Sequence, residues 1–329
     1  MATAVVEPVA ASEPVADAPA PAAAVVEKDA TTSVAVDMTK PEDFEGNIDT
    51  TNQIPSAETI EKINSFVVLD SDGKSHTFES LYNGPNSPRR VLLIFVRHFF
   101  CGNCQNYLEM LSESITPEAL LALPISTFIA VIGCGDPALI SMYRDATKCP
   151  YPIYTDPQHA LFNALGMIKT LSLGERPAYM KNSLLQTTIL GVKQALKSIP
   201  KGLTFKSGDQ RQVGGEFLFE PVDITTPVST PMEDKTVSLG NTLDGSVATA
   251  NEATHFRETK RVTWAHRMKN TRDHAEIPEL MEVLGLDGQG KPIEDSKRWA
   301  AALAARKGTG LSMAPQIKNA VAAAANETK

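Results

Sequence analysis

One short apolar run constrains the fold of this chain more than any other feature. Residues 91–96 read VLLIFV, and CGNCQNYLEMLSES follows at 101–114. A run this short and rich in β-branched residues is typical of a strand that is covered on both faces. Tyr107, Leu108 and Leu111 then recur at helical spacing. A buried strand followed directly by a helix predicts an α/β fold whose sheet is at least partly parallel.

The same alternation continues along the chain. Further strands are predicted at 65–70, 75–80, 126–133, 151–156, 214–221 and 260–268. Further helices are predicted at 136–147, 159–166, 183–197 and 273–284. Asp273 and Glu276 have the spacing of a capping box, which places the start of the last helix at Asp273. Together these elements predict a single α/β domain over 58–285, with a mixed central sheet flanked by helices.

Three stretches lack this patterning. Residues 1–57 are rich in Ala, Val, Pro, Glu and Thr, and 286–329 end in an alanine-rich segment. Such compositions bury too little apolar surface to offset the entropy of ordering, so both ends are predicted to be mostly disordered. Residues 221–260 are crowded with Thr, Ser, Pro and acidic residues, which predicts a disordered insertion within the domain.

Charge and hydropathy exclude two classes of partner. The formal net charge is −8, and the acidic excess lies in residues 1–50, which leaves no basic footprint for nucleic acid. No uncharged apolar run reaches the roughly 18 residues that a membrane span needs. The N-terminal residues lack the basic and apolar regions of a signal peptide, so we expect a cytoplasmic protein without membrane or nucleic-acid partners.

Cys101 and Cys104 form a C-x-x-C pair between the predicted buried strand and the following helix. A cysteine at a helix N-terminus faces the positive end of the helix dipole, which favours the thiolate. A second thiol three residues later lies one turn away and can form a disulfide with the first. The pattern favours a redox-active dithiol; two inert buried cysteines, or half of a zinc site, are the alternatives.

The other two cysteines are less informative. Cys134 follows the strand at 126–133, so it should lie at the same sheet edge as Cys101, as a third redox partner or as a packed thiol. Cys149 precedes its strand and is interpreted as structural. No metal and no cofactor are predicted, because neither a second C-x-x-C nor a phosphate-binding glycine motif is present.

The segment VLLIFVRHFFCGNC at 91–104 resembles the F-V-R-H-F-x-C-x-x-C segment of the peroxiredoxin-like 2 group, within the AhpC/TSA antioxidant family. Four further stretches resemble that group, namely 131–140, 151–167, 214–219 and 264–280. The resemblance implies a thioredoxin-like fold, a nucleophilic Cys101 and a second thiol at Cys104. It also suggests a fungal-type member with extended disordered tails.

Supporting residues are proposed with their alternatives. Arg97 can hold a thiolate ionised, or it can face away as a surface or ion-pair residue. Arg211 lies near the place where peroxiredoxins carry an active-site Arg, or it is a solvated loop residue. His98 can bind the substrate, tune the thiolate or be structural. Arg267 belongs to a cluster with His266, Thr271 and His274 that bonds the strand-to-helix turn or lies beside the dithiol.

Two functions remain open from the sequence. The first is a thiol-dependent oxidoreductase that reduces a small peroxide or disulfide through Cys101 and Cys104, with an external reductant such as thioredoxin or glutathione. The second is a redox-responsive binding or regulatory protein with little turnover. Typical peroxiredoxins carry Pro and Thr where this chain has Ile94 and His98, and this difference motivates the second hypothesis.

Overall fold

Strand β3 occupies the centre of the fold, in a computed structural model that describes residues 50–83, 87–180, 206–222, 259–286 and 296–327. The described strands form one eight-stranded sheet in the order β2-β1-β5-β4-β3-β6-β7-β8. Their bounds are β1 Val67–Leu69, β2 Ser75–Thr77, β3 Arg90–Phe95, β4 Thr127–Gly133, β5 Ile153–Thr155, β6 Gly215–Pro221, β7 Lys260–Arg267 and β8 Thr309–Gly310. Strands β3, β4 and β5 run parallel, and β6 and β7 pair antiparallel to their neighbours.

Eight α-helices surround the sheet in the described part of the chain. They are α1 Ala57–Ile63, α2 Gly102–Ser114, α3 Pro117–Leu121, α4 Ile140–Thr147, α5 Ala160–Ala164, α6 Ile277–Leu284, α7 Ser296–Ala304 and α8 Ala314–Glu327. Helix α2 follows β3 after a short loop, and α6 follows β7 in the same way. Helix α6 ends where Gly285 adopts a left-handed conformation, with φ +83°, which glycine tolerates without strain.

The two faces of β3 account for the two halves of the core. Leu92 and Ile94 are fully buried in a cluster with residues of α2, α4 and α6. Leu93 and Phe95 are fully buried on the other face, with residues of α1 and α5. Successive strand residues point to opposite faces, so a strand that is apolar throughout is covered on both. The expected mixed α/β architecture is confirmed.

The order β4-β3-β6-β7 is the thioredoxin-like arrangement that the resemblance implied. A parallel β-α-β unit is followed by an antiparallel strand pair and a helix. The carboxyl end of β3 therefore meets the start of α2. Strands β6 and β7 continue the sheet on the side of β3 opposite β4. Among the described residues, no helix has the length and apolar character required to cross a membrane.

The C-terminal end differs from the prediction of mostly disordered residues after 286. Strand β8 pairs with β7, and α8 buries Ile317, which is 5% exposed. Ala302 of α7 is also buried. The alanines that suggested disorder have high helix propensity, and a few apolar residues on one face suffice to dock the short helices.

The start of the domain also differs from its predicted boundary. Asn52 accepts a hydrogen bond from the backbone of Arg267, so the segment before α1 is bound to β7 rather than disordered. Helix α6, which was predicted to start at Asp273, begins at Ile277, and Asp273 instead accepts from the backbone N–H of Lys269. Residues 1–49, the predicted helix at 183–197 and residues 223–258 of the predicted insertion lie outside the described residues.

Candidate active site

The C-x-x-C pair lies where β3 leads into α2. Cys101 is the N-cap residue of α2, and Cys104 lies in its first turn. Both are free thiols, and Cys101 is only 4% exposed. Unsatisfied backbone N–H groups and the helix dipole create positive potential at this position. The local sequence thus places Cys101 where a thiolate is stabilised.

Arg97 faces the dithiol, which resolves the two orientations that the sequence left open. Its side chain is buried, and Nη1 lies 3.0 Å from the Sγ atom of Cys101. Nε donates to the carbonyl of Gln212 at 3.2 Å, and Nη2 donates to the carbonyl of Gln210. These carbonyls fix the guanidinium, so a permanent positive charge is held against the sulfur of Cys101.

The two thiols differ in acidity. A hydrogen bond from Cys104 and the charge of Arg97 hold the pKa of Cys101 well below its ordinary value, although burial opposes them. Burial, followed by the neighbouring Cys101, raises the pKa of Cys104 well above its ordinary value. The first thiol is therefore the more acidic of the two, and the second holds its proton more tightly.

His98 lies next to Arg97 in the loop between β3 and α2. Its backbone carbonyl accepts from the N–H of Cys101 at 2.9 Å. Its Nδ1 atom is buried and has no hydrogen-bond partner among the described residues. Burial lowers the pKa of His98, so the imidazole is neutral near pH 7. A ring nitrogen without a partner, three residues before Cys101, is a candidate to hydrogen-bond a ligand.

A buried histidine pair lies on the other side of the dithiol. His274 Nε2 is 3.3 Å from Cys104 Sγ, and His274 Nδ1 is 2.6 Å from Glu216 Oε1. His266 Nδ1 is 2.7 Å from Glu216 Oε2. The sequence left open whether this cluster bonds the strand-to-helix turn or lies beside the dithiol. In the structure, both histidines belong to one hydrogen-bond network that reaches Cys104. Glu216 was missed, although a lone acidic residue inside the apolar segment GGEFLF was a signal of a buried, paired carboxylate.

Arg211 and Arg267 do not contact the dithiol. Arg211 is 57% exposed, and its Nε atom is 3.6 Å from Asp209 Oδ1. Arg267 donates from Nη1 to the carbonyl of Gln53 at 2.7 Å, and its guanidinium lies over the ring of Phe217. Its neighbour His266 points to the opposite face of β7. Arg267 thus binds the segment before α1, and Arg211 extends into solvent.

The remaining residues of interest have packing roles in the described structure. Burial raises the pKa of Cys134 to about 12, and burial also raises the pKa of Cys149. Thiols of this kind form little thiolate near pH 7. A side chain at Gly214 would collide with the carbonyl of Phe95, so this glycine permits the close approach of β3 and its neighbour. Within the described ranges, no group of three or more potential ligands is arranged to hold a metal.

Comparisons with known proteins show which chains this one is similar to. The family described as AhpC/TSA antioxidant enzyme matches residues 111–228, a stretch that begins after the dithiol. Human peroxiredoxin-like 2C is 32% identical over 223 residues, which covers 67% of this chain and 77% of the human protein. The mouse protein of the same name is 28% identical over 223 residues, with the same two coverages. A solved structure of the Xanthomonas campestris bacterioferritin comigratory protein is 13% identical, with a TM-score of 0.30 over 52% of this chain and 80% of that one.

Proposed function

The chain belongs to the peroxiredoxin-like 2 group of the AhpC/TSA family, and on that premise we propose that it is a thiol-dependent oxidoreductase acting through Cys101 and Cys104. The proposed substrate is a small peroxide or a disulfide. The proposed reductant is an external thiol such as thioredoxin or glutathione. Membership of the family supports a redox role, and the dithiol chemistry is the further step that the following observations support.

The contact between Arg97 and Cys101 carries the proposal. A cation 3.0 Å from the sulfur stabilises the thiolate and lies where negative charge develops on the leaving oxygen of a peroxide. The helix N-terminus adds to the same potential. Both groups are positioned before the reaction by backbone hydrogen bonds, so no reorganisation is required.

The proposed reaction has three balanced steps. The Cys101 thiolate attacks one peroxide oxygen, the O–O bond breaks, and the leaving alkoxide takes a proton to become an alcohol. Cys101 is then a sulfenic acid. Cys104 attacks that sulfur to form the Cys101–Cys104 disulfide and release water. The external thiol transfers two electrons and two protons to regenerate both thiols.

His98 takes the place of the threonine that typical peroxiredoxins carry three residues before the nucleophile. The unpartnered Nδ1 atom of His98 supports a role in hydrogen-bonding the peroxide. In a neutral imidazole one ring nitrogen donates and the other accepts, as a hydroxyl group does. We therefore assign the orientation of the substrate to His98 and the stabilisation of charge to Arg97.

Substitution of each thiol tests the assignment. We expect Cys101→Ser to abolish peroxide consumption, because the nucleophile is lost. We expect Cys104→Ser to stop at a sulfenic acid on Cys101, which a dimedone-type probe traps and mass spectrometry locates. Cys149→Ser serves as a matched control that removes a buried thiol outside the site. Equal peroxide reactivity in the Cys101 and Cys104 variants would contradict the assignment.

Turnover separates this enzyme from a redox-responsive binding protein. With an excess of reductant, an enzyme consumes many equivalents of peroxide for each chain. A sensor is oxidised once and stays in the oxidised form, in which it binds a partner. Ile94 and His98 in place of the peroxidatic Pro and Thr favour the sensor as the second candidate, and one equivalent of peroxide consumed per chain would establish it.

A further inference from the structure

A chain of buried hydrogen bonds begins at Cys104 and leads away from Arg97. It joins Cys104 Sγ to His274 Nε2 at 3.3 Å and His274 Nδ1 to Glu216 Oε1 at 2.6 Å. It continues from Glu216 Oε2 to His266 Nδ1 at 2.7 Å. None of these four side chains is more than 1% exposed. A buried carboxylate with two histidine partners beside a reactive thiol requires an explanation beyond stability.

The hydrogen bonds determine which nitrogen of His274 faces the thiol with a lone pair. Although burial opposes it, His274 and His266 lower the pKa of Glu216 to about 2, so Glu216 is an ionised acceptor. Both Nδ1 atoms must therefore donate to it. A neutral His274 with its proton on Nδ1 presents an unprotonated Nε2 to Cys104. Thiol, imidazole and carboxylate thus have the order in which a base is positioned to activate a nucleophile.

The charges around Glu216 include that of a protonated His266. Burial lowers the pKa of His266, but its bonds to Asp273 and Glu216 raise that pKa to about 9. His266 is therefore charged near pH 7 and balances Glu216. A proton on His274 would be stabilised by the same carboxylate at 2.6 Å.

The other elements that pack on His274 contribute neutral or balanced groups. From α2, the ring of Tyr107 stacks on the imidazole with centroids 4.1 Å apart. Tyr179 contacts it edge-on, and burial raises the pKa of both phenols, which stay neutral. From the C-terminal segment, Lys307 Nζ donates to the carbonyl of His274 at 2.9 Å and lies 3.3 Å from Asp273. A third acid, Glu276, lies 3.6 Å from the same ammonium group.

We propose that His274 is the catalytic base that removes the proton of Cys104 when Cys104 attacks Cys101, and that Glu216 is its positioning residue. This proposal rests on the proposed dithiol function. In the reduced protein, a hydrogen bond from Cys104 and the guanidinium of Arg97 at 3.0 Å favour the Cys101 thiolate, which therefore needs no base. Cys104 is buried beside a second sulfur, so a permanent thiolate there would be unfavourable, and its proton must be removed during the attack.

The step balances in atoms and electrons. The Cys104 thiol gives its proton to His274 Nε2, and its sulfur forms a bond with the sulfur of oxidised Cys101. The bond from Cys101 to its substituent breaks, and the substituent leaves with the electron pair as hydroxide from a sulfenic acid or as a thiolate from a mixed disulfide. Cys104 is oxidised to the disulfide level. From a sulfenic acid, Cys101 is reduced to that level; from a mixed disulfide, Cys101 stays at that level and the departing thiolate is the group that is reduced. The proton on His274 then neutralises the leaving group or passes to solvent.

An aromatic disulfide that releases a coloured thiolate separates the two thiols in one experiment. Cys101 attacks first and releases one coloured thiolate. Cys104 then displaces the second from the mixed disulfide. We expect His274→Gln to slow the second release about 100-fold and to change the first less than about twofold, since general-base catalysis contributes about 10²–10⁴-fold. Glu216→Gln should slow the second release about tenfold, because it misplaces the base without removing it.

The pH profile of the second release gives a readout that a structural role would not change. With a base in place, the wild-type rate should vary little between about pH 7 and about pH 9. Without a base, the rate should rise about tenfold per pH unit, because the Cys104 thiol, whose pKa is raised, must then lose its proton to solvent before it attacks. The wild-type pH profile tests the role of His274 even if His274→Gln does not fold. A tenfold rise in rate per pH unit in the wild type overturns the proposal.

A matched control uses the other histidine–carboxylate pair described. His76 Nε2 lies 2.7 Å from Asp70, part-exposed and in a hairpin outside the site, and His76→Gln should leave both releases unchanged. A second release of wild-type speed in folded His274→Gln overturns the proposal. If peroxide leaves Cys101 unmodified but the aromatic disulfide still gives a base-dependent second release, the peroxidase function fails and His274 is upheld as the base.

Discussion

Strand β6 carries two buried carboxylates whose partners differ in one respect. Glu216 and Glu220 are both fully buried and lie on the same face of the strand. Glu216 bonds to two histidines, whereas Glu220 bonds to Arg90 at 2.7 Å. Histidine can lose its proton in the physiological range, and arginine cannot. The two ends of one strand therefore contain a permanent ion pair and a titratable one.

The permanent pair joins three elements. Arg90 donates to the carbonyls of Val283 and Leu284 at the end of α6, each at 2.8 Å. Glu220 also accepts from the backbone N–H of Met313 at 2.9 Å, directly before α8. These bonds satisfy the carbonyls that a helix leaves open at its C-terminus. The Glu220 end holds α6 and α8 on the sheet and has no contact with the dithiol.

The comparison shows that burial of a carboxylate does not by itself indicate function. What distinguishes Glu216 is the identity of its partners and its distance from Cys104. Both pairs require the same desolvation, which hydrogen bonds must offset. Only the pair with histidine partners contains a cation that can release its proton, because the pKa of His266 is raised to about 9 whereas arginine stays charged.

Removal of Arg90 should give the largest loss of stability. We expect Arg90→Met to lower the free energy of unfolding by about 3–5 kcal/mol, because it leaves Glu220 charged and unpaired in the core. Urea denaturation followed by circular dichroism measures the loss. Arg90→Met combined with Glu220→Leu should recover much of it, since an apolar pair replaces the buried charges. A loss below about 1 kcal/mol in the single variant would show that the pair is not a clamp.

The titratable pair should make stability depend on pH where the permanent pair does not. The pKa of His266 is raised to about 9, so its contribution is complete below about pH 6.5 and is lost as the pH rises through about 9. The pKa of Glu216 is lowered to about 2, so its contribution is complete above about pH 4.3 and is lost as the pH falls towards 2. Although burial opposes both shifts, Asp273 and Glu216 raise the pKa of His266, and His274 and His266 lower that of Glu216, so the bond between His266 and Glu216 is common to both shifts and is counted once. The shift of His266 then gives a loss on the order of 3 kcal/mol between about pH 6.5 and about pH 9.5.

The measurement compares unfolding of the wild type and His266→Asn across that range. The variant should be less stable at about pH 6 and should show a much flatter profile towards about pH 9.5. Arg90→Met should instead be displaced downward by a similar amount at every pH. Parallel profiles for the wild type and His266→Asn would mean that His266 is not charged in the folded protein.

Local sequence patterns predicted the framework of the site well. The run VLLIFV gave a central strand, and Cys101 at the start of the next helix followed from that strand and the helical spacing after it. Contacts between distant segments were harder to anticipate. Nothing near Arg97 in the sequence determines whether it faces the thiol, because that orientation depends on carbonyls of Gln210 and Gln212. His274 likewise reaches Cys104 only because β6, β7 and α2 converge.

The C-terminal end illustrates a different cause of error. Its composition resembled a solvated tail, and local propensity alone does not show whether a short helix finds a surface to cover. The structure supplies that surface at the edge of β7, where β8 pairs with Trp264 and Ala265. Lys307 comes from this same end, so the segment predicted as a tail contributes to the surroundings of His274.

The smallest expected effect on stability comes from Asp273, which forms the solvent-exposed rim of the titratable pair. Asp273 is 16% exposed and lies 3.6 Å from His266 Nε2, so this contact is longer and more exposed to solvent than the bond to Glu216. We expect Asp273→Asn to lower stability by only about 0.5–1 kcal/mol near pH 7. It should also lower the pKa of His266, so that the loss of stability begins at a lower pH than in the wild type.

Urea unfolding of Asp273→Asn over the same pH range checks this expectation, and NMR titration of the His266 ring protons measures the pKa directly. A small change would mean that Glu216 is the main partner of the imidazolium and that the buried pair functions independently of the rim. A loss as large as that of His266→Asn would instead place the controlling carboxylate at the surface. The distinction between the two ends of β6 would then concern exposure to solvent as much as the choice of histidine or arginine.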